Sequence, residues 1–273
     1  MKQIKILLGF CLVFPLQAWG FKAHKIISTQ SLKTLPPETK AWFIGQEAYF
    51  EERSIYPDQK RSTDRSEAPH HFLNLEIYQA ERLAPLTIEE ASVRVGADKF
   101  QRTGTVPWRV NEFYELLVEA FRKKDIEEVV RLSSELGHYV ADAHVPLHST
   151  INYDGQLTNQ KGLHSAWESQ LVQKFVDQNM IEIKEAKPYS KPTSISFSWI
   201  NESFALVPKV LASDQSAMSQ TQTGIQRNTQ EYWEAFWTLE GTTVIQRMHA
   251  SSQSIGNMIL SAWIDAGKPQ PPR

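Results

Sequence analysis

The sequence predicts an all-α protein folded as a single compact multi-helix domain, and three observations carry that expectation. Apolar residues recur at three- and four-residue spacing over long stretches. Strand-like alternation is confined to residues 181–183 and 195–197, on either side of a loop marked by Pro188 and Pro192. Nothing resembling an inter-domain linker interrupts residues 20–265. The 273 residues are 41% hydrophobic and 22% charged, the makeup of a globular chain with a core, which excludes the disordered and collagen-like classes. With 29 Lys+Arg against 31 Asp+Glu, the chain lacks the overall basic charge that bulk nucleic-acid binding requires.

Taken in chain order, the first segment is expected to be a secretory signal. Lys2 and Lys5 form a positive head, residues 6–16 are a largely apolar run of 11, and Ala18 offers a small residue before a cut. Such a run is too short for a bilayer, which takes about 20 residues, so no transmembrane segment is expected. Removal of residues 1–18 leaves a domain of residues 19–273, without Cys11, the single cysteine, and with 27 Lys+Arg against 31 Asp+Glu. The expected mature chain is therefore acidic and disulfide-free, secreted or periplasmic, and stabilised by core burial or by metals.

The helices follow from periodicity. Residues 108–124 place Val110, Phe113, Leu116, Leu117, Ala120 and Phe121 on one stripe. Residues 126–143 repeat the pattern with Val129, Val130, Leu132, Leu136, Tyr139 and Val140, and Pro146 marks the end. A third helix is expected over residues 163–176, with Leu171, Phe175 and Val176 inward. Residues 232–266 are apolar-periodic and stop at Gly267 and Pro269, with Gly241 and Gly256 as expected break points. Trp167, Trp233 and Trp237 are expected in the core.

Seven of the eight histidines fall between positions 24 and 164. His138 and Asp142 are four apart on a predicted helix, so imidazole and carboxylate share one face. His164 and Glu168 repeat that spacing, and His148 lies between the pairs, just past Pro146. Two such pairs and a further histidine supply five nitrogen and oxygen ligands of the kind zinc accepts. The zinc-protease signature His-Glu-x-x-His does not occur. The Glu-x-x-His of di-iron bundles is intact only at Glu135 with His138, because Glu67 and His70 enclose Pro69. Upstream, Asp58 and the pair His70 and His71 are further candidates, although an Asp after Pro57 also reads as a turn residue. Asp64 rivals Asp58, and His70 rivals His71. His144 is expected beside the site rather than as a ligand, and His249 as structural.

At this point a resemblance enters. The run His138-Tyr139-Val140-Ala141-Asp142-Ala143-His144-Val145-Pro146-Leu147-His148 resembles the central motif of the zinc-dependent phospholipase C and fungal-type single-strand nuclease family. Trp19-Gly20 with His24, Asp58-x-x-Arg61, His71-Phe72 and His164-x-x-x-Glu168 resemble its other motifs, over roughly residues 19–170. The resemblance implies an all-helical fold of that type, holding three zinc ions in a cleft and hydrolysing phosphodiesters. It implies that Trp19, through its free amine and carbonyl, joins His24 and Asp142 around one zinc. Asp58, His71, His138 and a bridging Asp142 would hold the second, and His148, His164 and Glu168 the third. Cleavage behind Ala18 would thus create a ligand.

The same resemblance gives Asp58 and Arg61 catalytic roles. Asp58 is expected to orient the attacking water or take its proton, and Arg61 to clamp a phosphate oxygen. Three divalent ions against three carboxylates leave a local charge near +3, which would draw a phosphodiester to an otherwise acidic chain. Nucleases of the family usually end their second helix pair with Asp, whereas its phospholipases C carry Glu. Glu168 therefore points to a phospholipid or other small phosphodiester as substrate. Single-stranded DNA or RNA is the alternative substrate, and a secreted helical protein that binds zinc without catalysis is the alternative class.

Overall fold

The computed structural model describes residues 20–79, 82–219 and 227–272. The expected signal segment and Trp19 lie outside them. Among the described residues there is no strand. The helices are α1 Phe21–Thr34, α2 Pro37–Lys40, α3 Glu47–Arg53, α4 Tyr56–Arg61, α5 Ile88–Val95, α6 Ala97–Thr103, α7 Val106–Lys123, α8 Ile126–Ala143, α9 Leu163–Ser165, α10 Leu171–Phe175, α11 Pro192–Ser219 and α12 Gln230–Asp265. Two tight 3-10 segments, Arg65–His71 and Pro146–Ser149, carry histidines that matter below.

The molecule is organised around α8. Its start is fixed by Asp125, whose carboxylate accepts the Glu128 N–H at 3.1 Å, an N-cap that satisfies an otherwise unpaired donor. Its end comes before Pro146, which opens the next 3-10 segment. Every residue from Leu132 to Ala143 is buried, because α8 packs against α1, α3, α4, α7, α11 and α12. A helix surrounded on all sides has no solvated face for His138 and Asp142, so these polar groups need partners inside the protein.

Periodicity located three helices well. Residues 108–123 fall in α7, which begins two residues earlier at Val106, with Pro107 in its first turn, and is closed by the left-handed Lys124. Leu116, expected inward, is 46% exposed, while Leu117 and Phe121 are fully buried. The predicted helix over 163–176 runs from α9 through a π turn, Ala166–Gln170, into α10. Trp167 and Trp233 are core residues, and Trp237 is half-buried and stacked on Phe175.

Two expectations are corrected. Residues 195–197 are not extended; they belong to α11, whose buried face mixes Phe197, Trp199 and Ile200 with Ser196 and Ser203. Gly241 and Gly256 do not break α12, which runs unbroken for 36 residues. A Cβ on Gly256 would lie 1.8 Å from Thr34 Oγ1, so this glycine serves the close approach of α1 to α12. At Gly241 the Trp237 ring occupies the space of the missing side chain, 2.8 Å from where a Cβ would stand. Among the described residues, no helix is long and apolar enough to cross a membrane.

Candidate metal centre

Seven elements deliver the candidate ligands to one place. His24 comes from α1, Asp58 from α4, His71 from the end of the first 3-10 segment, and His138 and Asp142 from α8. His148 lies in the second 3-10 segment, His164 in α9 and Glu168 in the π turn. All eight side chains are buried. They form three groups whose ligand atoms lie within 4.8 Å of one another: His24, His138 and Asp142; Asp58, His71 and His138; His148, His164 and Glu168.

The third group is the most regular. His148 Nε2 and His164 Nε2 are 3.2 Å apart, and Glu168 Oε2 lies 3.4 Å from the first and 3.1 Å from the second. Ligand atoms bound tetrahedrally at about 2.05 Å from zinc stand roughly 3.3 Å apart. The three atoms therefore outline a face of such a tetrahedron. Asp142 turns one oxygen each way. Its Oδ2 lies 2.8 Å from His71 Nδ1 and 3.3 Å from His138 Nε2, and its Oδ1 lies 3.5 Å from His24 Nε2. One carboxylate thus offers a different oxygen to His24 than to His71 and His138.

Backbone carbonyls select which nitrogen each histidine presents. His138 Nδ1 donates to the Ser54 carbonyl at 2.8 Å, His148 Nδ1 to the His71 carbonyl at 2.7 Å, and His164 Nδ1 to the Tyr153 carbonyl at 3.1 Å. Each bond turns Nε2 toward the cluster and leaves it the coordinating nitrogen when the ring is neutral. Several buried acceptors and ring nitrogens have no hydrogen-bond partner: His24 Nε2, both Asp58 oxygens, Asp142 Oδ1 and both Glu168 oxygens. Buried polar atoms left unpaired are costly, and here they converge. The donor set is nitrogen and oxygen only, so it fits zinc.

The electrostatics show how tightly these groups are forced together. Burial pulls His24 and His71 down to about 4 and pushes the Asp58 carboxyl up to about 7. Burial also works against a charged His138, but the Asp142 and Asp58 carboxylates outweigh it and raise the imidazole to about 9. Burial opposes ionisation of Asp142 as well, yet the neighbouring His138 and His148 hold its carboxyl well below the usual range. Glu168 is held down against burial by His164, which it raises in turn.

The alternatives left by spacing separate in space. His71 joins the cluster, whereas His70 Nδ1 pairs with Thr105 Oγ1 at 2.8 Å. Asp58 joins it, whereas Asp64 is partly exposed and accepts the Ser66 N–H at the start of the first 3-10 segment. His144 is buried outside the three groups, donating to the Val140 carbonyl and tilted against Trp199. His249 bonds the Glu182 carbonyl and belongs to none of the three groups. Glu135 is held by Arg53 and Arg131 rather than by any histidine, which removes the di-iron template. Arg61 stands over a cleft of about 220 Å³, lined also by His71, Phe72, Asn74, Leu147, His148, Thr150, Tyr153 and His164. Gly20 lies against Ser169: a Cβ there would meet Ser169 Oγ at 2.7 Å, so the first described residue abuts the segment that carries Glu168.

A family model described as S1/P1 nuclease matches residues 19–258, most of the chain. The chain belongs to the S1/P1 nuclease family. Among curated proteins, none matches it. As an S1/P1-family protein it is a zinc-dependent phosphoric diester hydrolase with an all-α fold. The matched span contains Trp19 and all eight clustered ligand candidates, together with Arg61. Sequence spacing alone reached His138, Asp142, His148, His164 and Glu168. Asp58 and the pair His70 and His71 were candidates on the residues alone, while only the resemblance reached Trp19 and His24 and preferred His71 to His70. Glu67, weighed only as half of a broken di-iron motif, is buried beside His71.

Proposed function

We propose that this protein is a phospholipase C-like phosphodiesterase with three zinc ions, acting after cleavage between Ala18 and Trp19 in a secreted or periplasmic setting. The ligands are assigned as Trp19, His24 and Asp142; Asp58, His71, His138 and Asp142; and His148, His164 and Glu168. The position of Gly20 against Ser169 supports Trp19 in this set. Bound zinc supplies Lewis acidity and a water that ionises near neutral pH, with a pKa of about 7 against about 15.7 in bulk.

The chain's own residues do the rest. Arg61, on the cleft wall, binds a non-bridging phosphate oxygen of the diester and orients it for in-line displacement. Asp58, which burial pushes up to about 7, accepts the proton of the attacking water at a carboxylate oxygen. Leu147, Phe72 and Tyr153 line the same cleft and limit the water that reaches it. The products are a phosphomonoester and an alcohol.

The observation that favours lipid is the mouth of the cleft. Tyr153, itself part of the cleft lining, is 41% exposed, and its loop also exposes Ile151 at 39% and Leu157 at 64%. Two hydrogen bonds close this loop on itself: Asn152 Oδ1 accepts the Leu157 N–H at 2.8 Å, and Gln156 Nε2 donates to the Ile151 carbonyl at 2.6 Å. Apolar groups held in water beside a phosphodiester site suit a substrate with an apolar part. The nuclease reading is favoured by the matched family's name and by Phe72, whose ring on the cleft wall could stack a base.

Zinc-loaded chain beginning at Trp19 is to be assayed on phosphatidylcholine vesicles, single-stranded DNA, RNA and bis(p-nitrophenyl) phosphate. The lipid reading expects phosphatidylcholine to be the best natural substrate. It also expects Leu157→Asp to slow vesicle hydrolysis while leaving the soluble diester untouched. Faster turnover of DNA or RNA with no lipid hydrolysis would give the site to the nuclease reading. No turnover of any substrate beyond that of His148→Ala would make the protein a zinc binder without catalysis.

A further inference from the structure

Glu67 is buried to 1% exposure, and it touches all three elements that bring Asp58, His71 and His138 together. It sits on the 3-10 segment that ends in His71, four residues before it. Its Oε2 accepts from Lys60 Nζ at 2.7 Å, and Lys60 is on α4, two residues from Asp58. Its Oε1 accepts from Tyr139 Oη at 2.5 Å, and Tyr139 is on α8, next to His138. Arg109 Nη2 of α7 stands 3.6 Å from Oε2. One carboxylate thus ties three ligand-bearing segments within one or two residues of a ligand on two of them and four residues from the third.

His71 differs from its neighbours. His138, His148 and His164 each spend Nδ1 on a backbone carbonyl and face the cluster with Nε2. His71 faces it with Nδ1, 2.8 Å from Asp142 Oδ2 and 3.0 Å from His138 Nε2. Its Nε2 is buried with no hydrogen-bond partner, and Glu67 Oε1 lies 3.9 Å away. With the proton on Nδ1, His71 bonds Asp142 and cannot coordinate. With the proton on Nε2, Nδ1 is free to coordinate, and the carboxylate oxygen facing that N–H is Glu67 Oε1. Carboxylates behind ligand histidines hold the ring and fix its tautomer in this way, and losing one costs about 10–100-fold in metal affinity.

We propose that Glu67 is a positioning residue for zinc, selecting the Nδ1-coordinating tautomer of His71 and locking together the segments that carry Asp58, His71 and His138. The inference rests on the zinc-site reading above, but it concerns metal affinity rather than substrate.

Zinc retained per chain is to be measured against a competing chelator for the unmutated protein, Glu67→Gln, Glu67→Ala and Glu135→Gln. Glu135 is the control because it is a buried carboxylate whose partners are Arg53 and Arg131. The expected result is about 10–100-fold weaker retention of one zinc in Glu67→Ala, a smaller loss in Glu67→Gln, and none in Glu135→Gln. A downfield imidazole N–H resonance from His71 Nε2 is expected in the zinc-loaded protein and is lost in Glu67→Ala. Unchanged retention in both Glu67 variants overturns the proposal, as does an equal loss in Glu135→Gln, which would mark a general packing effect. Should Glu67→Ala fail to fold, Glu67→Gln, which keeps the volume, decides. If the unmutated protein itself binds no zinc, it is the site reading that fails, and the two outcomes are separate.

Discussion

Residues in this centre are arranged so that burial and charge oppose each other at almost every atom. His24, His71 and Asp58 are driven toward their neutral forms by burial, while His138 and Asp142 hold each other charged. Without a cation among them, unpaired oxygens of Asp58, Asp142 and Glu168 would be buried at a cost of about 1–3 kcal/mol each or more. Arg61 is different in kind, because it lines the cleft and belongs to none of the three ligand groups. Arg61→Ala is therefore expected to lower kcat/KM for bis(p-nitrophenyl) phosphate by on the order of 100-fold, the scale of a lost charge-assisted contact to a phosphoryl group. Zinc content should stay the same. Zinc analysis beside steady-state kinetics checks this, and a parallel loss of zinc would move Arg61 from substrate contact to metal-site support.

The elements that carry the ligands were only partly readable in advance, for reasons that lie in their faces. α8 was read correctly from end to end because its inward residues Val129, Val130, Leu136, Tyr139 and Val140 are apolar at helical spacing. The same spacing paired His138 with Asp142 and His164 with Glu168. α1 escaped because most of its buried face is polar: His24, Ser28, Gln30, Ser31 and Thr34. α11 escaped for the same reason, and Ser196, Ser203, Ser213 and Asp214 blur the apolar stripe that would have announced it. Gly241 and Gly256 misled because glycine inside a helix can answer a packing need instead of ending the helix.

The buried polar groups of α11 also have work to do. Asp214 accepts from Arg227 Nε at 2.8 Å, Gln160 Nε2 at 2.8 Å and Tyr232 Oη at 2.6 Å. Arg227 Nη2 in turn donates to the Gln160 carbonyl, so α11 and Arg227, just before α12, grip the loop that leads into His164. Asp214→Ala leaves Arg227 without its buried counter-charge and is expected to cost about 3–5 kcal/mol. Hydrogen exchange should show residues 153–162 losing protection first. Uniform loss across the molecule would contradict the local grip.

The whole molecule reads as a disulfide-free helical frame, in which the single cysteine, Cys11, lies in the expected signal segment, built to bring eight distant side chains to one buried cluster. Membership of the S1/P1 nuclease family explains the zinc and the phosphodiester. The frame explains how residues as far apart in sequence as His24 and Glu168 come to share a charge balance, with ligand atoms at the separations that tetrahedral coordination sets. The most direct test of this account is the zinc content of homogeneous chain beginning at Trp19, measured by elemental analysis after removal of loosely bound metal. The account predicts three zinc ions per chain; two or fewer would contradict it.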